Sequence, residues 1–284
     1  MLIVLACLSI SCNYRKSSQE TDKVKFYVDP ATNSDDPEIR MAYGLNIMPP
    51  WPDGGSIFVN LPEHLEYMPE TKGIARHHDK RKNVWQINAD STEANYEVES
   101  LTEPGVFFAV KAKATNEKAA FEMSITNHSE KMLNSIRPLF CFQYNLLKGF
   151  PGKQSDNFSH TYIITNGKPV LVARLVVNDT NADARMAQVK DCKDEHNWWA
   201  IKMGGFIEQR MDAAYTILTS AHDDRKVIVR WTPGKNFLSN AAIPCIHADP
   251  CIGDLVPGKS VTVYGELIFT RAPLEQIMIK FPVK

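Results

Sequence analysis

The sequence predicts an all-β protein, built as an antiparallel β-sandwich, a jelly roll or a supersandwich, and three observations predict it. Short runs rich in Val, Ile, Phe, Tyr and Thr recur along the chain, as is typical of strands. Turn dipeptides such as Asn166-Gly167 and Pro257-Gly258 separate many of these runs. Long helical periodicity is absent from the sequence. Many strands with turns between them favour packed or closed antiparallel sheets.

The predicted strands are short and evenly spread. In chain order they are Lys23–Val28, Ser56–Asn60, Val84–Asn88, Tyr96–Leu101, Val106–Ala112, Ala120–Thr126, Leu139–Leu146, His160–Thr165, Val170–Val177, Trp198–Ile207, Ala214–Leu218, Lys226–Trp231, Ser260–Thr270 and Gln276–Phe281. Residues 120–126 alternate apolar and polar side chains, which predicts a strand with one buried face. Short helices are predicted near 37–43 and 129–134. Residues 29–83 are less regular, and loops on a sheet scaffold often carry function.

Composition narrows the class of protein. The chain has 284 residues, of which 44% are hydrophobic and 23% charged, as in soluble globular proteins. This length can bury a core without staples, and we predict one β-rich domain over residues 24–284. The 32 basic and 33 acidic residues leave a formal net charge of −1, so no nucleic-acid partner is predicted. The sequence lacks a Walker loop, a dinucleotide-binding glycine fingerprint, GxSxG and HExxH, which disfavours nucleotide hydrolysis, hydride transfer and common protease chemistry.

The first twelve residues predict export. Residues 1–12 are apolar and end in Ser9-Ile10-Ser11-Cys12. They are too short to span a bilayer, which needs roughly 20 residues, but they fit the apolar part of a secretory signal. The ending resembles a bacterial lipoprotein cleavage box. We therefore predict a signal over residues 1–12, lipidation of Cys12, a polar tether over residues 13–23, and a lipid-anchored location at the cell envelope, periplasmic or on the outer surface. The alternative is an apolar first strand.

Four cysteines follow the predicted signal: Cys141, Cys192, Cys245 and Cys251. In an exported protein an even number favours disulfides, and four cysteines allow three pairings. A Cys245–Cys251 bond would close a small loop and would compete with a metal for the same residues.

The segment Pro244–Cys251 concentrates the most chemistry. It places Cys245, His247, Asp249 and Cys251 at every second position, so these side chains share one face if the backbone is extended. Zinc accepts Cys, His and Asp ligands, but positions along one strand diverge, so two or three of the four at most would meet one ion. One interpretation of this segment is therefore a site for a divalent metal, with Asp249 and Cys251 among its ligands. The others are a local disulfide and a His247–Asp249 pair that holds a loop.

A second candidate site combines two predicted strands. Arg137 and Gln143 share one face of the first strand, and Tyr144 lies on the other. His160 and Tyr162 project together from the next strand. If the two strands pair, His160 and Tyr162 lie beside Gln143 or Tyr144, which suits a sugar site. The alternative is that the tyrosines belong to the core.

Basic residues give a third candidate. The loop Gly73–Arg81 contains Arg76 and His78, and arginine binds a carboxylate or sulfate in a bidentate way. The alternative is a solvated surface loop. Arg174 falls inside the predicted strand Val170–Val177, where a charge must face a partner, a cleft or solvent.

One resemblance supplies a substrate class. Residues 107–269 contain Ile125-Thr126-Asn127-His128-Ser129, the run from Pro244 to Pro250, and Pro257-Gly258-Lys259. On these motifs the chain resembles β-rich lipoproteins of the polysaccharide-utilisation systems of marine Bacteroidetes, which include oligosaccharide dehydratases of ulvan degradation. The resemblance implies an acidic oligosaccharide as partner and a carbohydrate lyase as activity. It assigns no catalytic residue.

The leading hypothesis is a carbon–oxygen lyase that removes water across C4–C5 of a terminal uronic acid. This reaction needs a group that neutralises the carboxylate and a group that moves the proton. Candidate proton-transfer residues are His160, Tyr162, His247 and Tyr144, and candidate substrate-binding residues are Arg137, Arg174, Arg76, His78 and Gln143. The alternatives are a non-catalytic glycan-binding lipoprotein and a mutarotase-like sugar epimerase.

Overall fold

The strands form two antiparallel sheets. The computed structural model describes residues 23–33, 35–36, 40–68, 72–152, 155–192, 204–240 and 242–282. Within these residues each sheet has nine strands, and over half of the chain is strand. This confirms the predicted all-β sandwich class.

The first sheet carries most of the candidate chemistry. Its strands are β1 (Lys25–Tyr27), β2 (Gly44–Met48), β3 (Ile57–Met68), β4 (Lys72–Arg76), β9 (Leu133–Gln143), β12 (Ala184–Gln188), β15 (Gly234–Asn240), β16 (Cys245–Pro250) and β17 (Gly253–Leu255). They are ordered β1-β2-β3-β9-β16-β15-β12, with β4 beside β3 and β17 beside β9. The strands β9 and β16 are therefore central and adjacent.

The second sheet contains most of the alternating strands. It is formed by β5 (Gln86–Ile87), β6 (Glu93–Glu99), β7 (Val106–Ala114), β8 (Lys118–Asn127), β10 (Thr161–Thr165), β11 (Lys168–Leu171), β13 (Tyr215–Thr219), β14 (Lys226–Thr232) and β18 (Lys259–Thr270). The order is β11-β10-β13-β14-β18-β8-β7-β6-β5. Helix α1 spans Leu274–Lys280, and 3₁₀ helices span Pro30–Asn33, Ser155–Ser159 and Val172–Arg174.

Aromatic side chains join the sheets. The Phe140 ring on β9 lies 4.6 Å from the Trp231 ring on β14, and Phe121 on β8 lies 6.4 Å from Phe142 on β9. Gly265 on β18 faces Trp231, because a Cβ there would lie 2.6 Å from the indole ring. The inner faces of both sheets thus form the main core.

Two predicted strands are wrong in part or whole. The segment Gln276–Phe281 falls largely in α1, where Leu274, Ile277 and Met278 follow helical spacing and pack against a small apolar cluster. The segment Val170–Val177 leaves the sheet at Leu171 and continues as a 3₁₀ helix.

The predicted helices are also corrected. Residues 129–131 form a bend, and residue 132 is irregular, before β9 begins at Leu133. Of residues 37–43, only 40–43 lie among the described residues, and they end in a turn before β2. Six described strands are absent from the predicted list, namely β2, β4, β12, β15, β16 and β17.

One disulfide pairing is settled by the structure. Cys192 and Cys251 are bonded, and Cys141 and Cys245 are free and buried. The local Cys245–Cys251 bond considered from the sequence is therefore wrong. The bond closes a separation of 59 residues, which corresponds to roughly 4 kcal/mol of loop-closure stabilisation.

The predicted signal over residues 1–12, including Cys12, and tether residues 13–22 lie outside the described residues. The same holds for residues 198–203 of one predicted strand. No helix among the described residues has the length and apolarity needed to cross a membrane.

Candidate functional site

The outer face of β16 begins the site. Ile246 and Ala248 point into the main core, so Cys245, His247 and Asp249 share the opposite face. Cys245 Sγ lies 3.4 Å from His247 Nε2, which confirms the predicted side-by-side arrangement of these two side chains. All three residues are buried.

The neighbouring strand β9 adds a second thiol. Register places Cys141 opposite His247 and Gln143 opposite Cys245. Ligand atoms of Cys141, Cys245 and His247 all lie within 4.8 Å of one another. We call these three residues the thiol–imidazole cluster.

A bulge in β3 brings a carboxylate to this cluster. Asn60 pairs with Cys141 and His64 pairs with Leu139, so the three residues 61–63 face only Phe140. Such bulges re-aim side chains next to functional sites. Glu63 Oε2 consequently lies 3.8 Å from His247 Nδ1.

Asp249 has a structural role. Its Oδ1 accepts a hydrogen bond from the backbone N–H of Phe140 at 2.7 Å, and its Oδ2 accepts one from Asn236 Nδ2 at 2.7 Å. Burial raises the pKa of Asp249 to about 6, although nearby His247 acts in the opposite direction. The carboxylate therefore joins β9, β15 and β16.

The cluster favours a thiolate beside an imidazolium. A hydrogen bond from Cys141 lowers the pKa of Cys245 to about 5; burial opposes this shift and His247 assists it. Burial opposes charge on His247, but Cys245 and Glu63 raise its pKa to about 9. The hydrogen bond with Cys245, together with burial, raises the pKa of Cys141. These opposite shifts favour transfer of the Cys245 proton to the ring.

Three further histidines extend from Glu63 to the surface. His64 follows Glu63 on β3, and its ring lies 5.3 Å from that of His77, just after β4. The His77 ring lies 3.5 Å from that of His78. Burial, then repulsion from His77 in its protonated form and from Arg76, lowers the pKa of His64 to about 3. Burial, then His78, lowers the pKa of His77 to about 4, so both rings are neutral near neutral pH.

A surface cavity of about 650 Å³ opens beside these histidines. Its lining includes Arg76, His78 and Lys80, and we call it the basic cavity. Arg76 keeps an exposed guanidinium, with 59% of its side chain accessible, and Nη2 lies 3.8 Å from Glu66 Oε1. Asp79 also lines the cavity, but Arg81 Nε lies 3.0 Å from its carboxylate. The accessible charge is therefore basic.

Two groups of side chains have the spacing of metal ligands. One is the thiol–imidazole cluster, and the other comprises Glu63, His64 and His77. Neither includes Asp249 or Cys251. Cys251 is unavailable because it is bonded to Cys192, so the predicted participation of Cys251 in a metal site is wrong.

The strand pairing that would bring His160 and Tyr162 beside Gln143 or Tyr144 does not form. β9 belongs to the first sheet, where it pairs with β3, β16 and β17, whereas β10 belongs to the second and pairs with β11 and β13. His160 accepts a hydrogen bond at its backbone oxygen from Thr219. Tyr162 packs against the small cluster beneath α1. Neither residue therefore lies in the same sheet as His247.

The other residues predicted for the site lie in different parts of the fold. Tyr144 is 1% exposed in the main core, and burial raises its pKa. Arg137 is buried near the middle of β9, where Nη2 contacts Met68 Sδ at 3.1 Å. Arg174 is exposed in its 3₁₀ helix. Arg76 and His78 share the basic cavity, and Gln143 adjoins the cysteines through its register with Cys245.

Sequence reasoning missed Glu63, His64 and His77 as site residues. The predicted strand ended at Asn60 because a proline inside a run argues against a continuous strand. The strand instead accommodates Pro62 in the bulge and continues to Met68. The polar His64 followed by the apolar Leu65 was the available signal that the strand continues beyond Pro62.

Comparisons with known proteins identify no family by sequence. No family model matches the chain, and no curated protein sequence matches it. Similar solved structures include a galactose mutarotase-like protein from Lactobacillus casei ATCC 334, with 10% identity, TM-score 0.43, and coverage of 81% of this chain and 98% of that one. A putative aldose 1-epimerase from Escherichia coli K12 has 10% identity, TM-score 0.42 and coverage of 75% and 83%.

A polysaccharide lyase is also similar, with 12% identity and a TM-score of 0.44. The match covers 91% of this chain and 34% of the lyase, so the chain spans about a third of that protein.

Proposed function

We propose that the protein is a carbon–oxygen lyase that dehydrates uronic-acid-terminated oligosaccharides, with the basic cavity as its active site. The observation that carries the proposal is that Arg76 and His78 line one open cavity of about 650 Å³. A cavity of this size accommodates a sugar residue. The sequence resemblance to lipoproteins that include ulvan oligosaccharide dehydratases supports the substrate class.

Arg76 would bind the uronate carboxylate. Its guanidinium is exposed, and its ion pair with Glu66 at 3.8 Å leaves donors for a ligand. Neutralising the carboxylate lets the negative charge that develops at C5 spread onto that group, which lowers the barrier to proton removal.

His78 would move the proton. It takes the hydrogen from C5 as the C5–H electrons form the C4–C5 double bond and the C4–O bond breaks. The same proton then passes to the departing C4 hydroxyl, which leaves as water. His77, whose ring lies 3.5 Å from His78, is a positioning residue, and its low pKa keeps a second positive charge away from the base.

The roles expected for His160 and Tyr162 are not retained, because their strand lies in the second sheet. Location at the cell envelope and anchoring through Cys12 remain part of the proposal.

The test is turnover of uronate-ended oligosaccharides, followed by the ultraviolet absorbance of the unsaturated product. Arg76→Ala should lose roughly 100-fold in kcat/KM, as expected for the loss of one charge-stabilising donor. Arg174→Ala is the matched control, because it removes an exposed arginine outside the cavity, and it should retain wild-type activity.

Two outcomes would overturn the proposal that the protein is a lyase. Saturable glycan binding without product would indicate a glycan-binding protein. Interconversion of anomers by NMR, without unsaturated product, would indicate a mutarotase-like epimerase.

A further inference from the structure

The thiol–imidazole cluster has features that the proposed lyase does not use. Cys141, Cys245 and His247 are each at most 4% exposed, so they contact no large substrate. The two cysteines remain free in a chain whose other described pair, Cys192 and Cys251, is oxidised. Burying two thiols and an imidazole together requires compensation.

The spacing of the cluster fits a tetrahedral ion. With Zn–S bonds of about 2.3 Å and Zn–N bonds of about 2.0 Å, sulfur and nitrogen ligands lie about 3.6 Å apart. Cys245 Sγ and His247 Nε2 lie 3.4 Å apart. Cys141 Sγ belongs to the same group, with all ligand atoms within 4.8 Å of one another.

The ligands come from two strands whose register is fixed. His247 pairs with Cys141 across β9 and β16, and Asp249 fixes the same two strands by accepting the Phe140 N–H at 2.7 Å. This removes the difficulty that ligands along one strand diverge, since Cys141 enters from the neighbouring strand.

The second ring nitrogen points to a carboxylate. His247 Nδ1 is buried and has no hydrogen-bond partner among the described residues, and Glu63 Oε2 lies 3.8 Å away. Histidine ligands of zinc regularly donate their other N–H to a carboxylate, which fixes the ring. A small shift of Glu63 would complete that hydrogen bond.

We propose that Cys141, Cys245 and His247 form a zinc site in which Nε2 of His247 binds the metal and Glu63 orients the ring. Two thiolates and one imidazole are ligands that zinc prefers. These three residues leave the fourth position of a tetrahedral ion for water.

Metal analysis of the purified full chain tests this site. After zinc loading and dialysis we expect about one zinc per chain. Cys245→Ser and His247→Asn should each abolish binding. Glu63→Gln should keep the stoichiometry with 10- to 100-fold weaker affinity, as expected for an outer-shell partner. His77→Asn, which alters the other potential ligand group, should retain zinc.

Cobalt substitution gives a readout that does not depend on the variants. Tetrahedral Co²⁺ bound by thiolates shows intense sulfur-to-cobalt absorption in the near ultraviolet, and we expect this band in the wild-type protein. The proposal would be overturned by absence of bound metal or by a cobalt spectrum without sulfur ligation. It would also be overturned by zinc loss in His77→Asn alone, or by a Cys141–Cys245 disulfide in mass spectra of freshly purified protein.

Discussion

Two strands at which the sequence predicted site residues differ in what surrounds them. β16 (Cys245–Pro250) lies in the middle of its sheet between β9 and β15, and all six of its residues are buried. β10 (Thr161–Thr165) lies one strand from the edge of the other sheet, between β11 and β13. β16 contains His247, and His160 directly precedes β10.

The difference lies in the neighbouring strands. β16 receives Cys141 from β9, and the bulge in β3 brings Glu63 to 3.8 Å from its histidine. Strand β10 receives mainly apolar and hydroxyl-bearing neighbours, and Tyr162 pairs with Leu171 and Ile217. The alternation of residues along each strand therefore predicts the face on which a side chain lies. The pairing of strands in the tertiary structure determines which reactive groups meet on that face.

The largest expected contrast is catalytic. His78→Asn should reduce kcat/KM by roughly 1,000-fold, within the range for loss of a general base. His160→Asn should stay within about threefold of wild type, because His160 lies outside the basic cavity. Steady-state rates on uronate-ended oligosaccharides measure both.

Chemical rescue separates a base from a residue that only shapes the cavity. Imidazole added to His78→Asn should restore part of the lost kcat/KM if His78 moves the proton. A His160→Asn variant as impaired as His78→Asn, with both proteins folded, would reverse the assignment of the site.

A smaller contrast concerns stability. Asp249→Ala should destabilise the protein by about 3 kcal/mol, because the buried Phe140 N–H and the Asn236 amide lose their acceptor. Thr161→Val on β10 should cost about 1 kcal/mol, since it removes one neutral hydrogen bond to Asn157 O at 2.7 Å. Urea unfolding of both variants measures the difference. Equal losses would mean that Asp249 does not join the central strands.

The sequence was sufficient for the class of fold because alternation is local. In β8 every second residue is buried, as the pattern of residues 120–126 predicted. The sequence pattern failed at α1 because four apolar residues in a short segment fit both the helical and the strand period. Packing against residues of β13 and β14 stabilises the helix.

The candidate site was only partly predictable. The common face of Cys245 and His247 follows from strand geometry, and Arg76 and His78 are close in the chain. The approach of Cys141 depends on pairing between residues about a hundred positions apart, and that of Glu63 depends on a bulge around Pro62. Neither feature has a local pattern from which it could be read.

A further expected effect is an acid dependence of stability that comes from His64 and His77 at the first sheet. His64 and His77 have folded pKa values of about 3 and about 4, whereas unfolded imidazoles titrate near about 6.5. Between these values the unfolded state binds more protons, so their contribution to stability falls as pH falls. A His64→Asn/His77→Asn variant lacks this term, whereas Asp249, Glu63 and His247 still titrate in both proteins. The difference in unfolding free energy, wild type minus variant, should therefore decline from about pH 7 to about pH 4.5 with a slope approaching two protons. Urea unfolding across this range measures it. A constant difference for the double variant would show that the two rings are as solvated as in the unfolded chain.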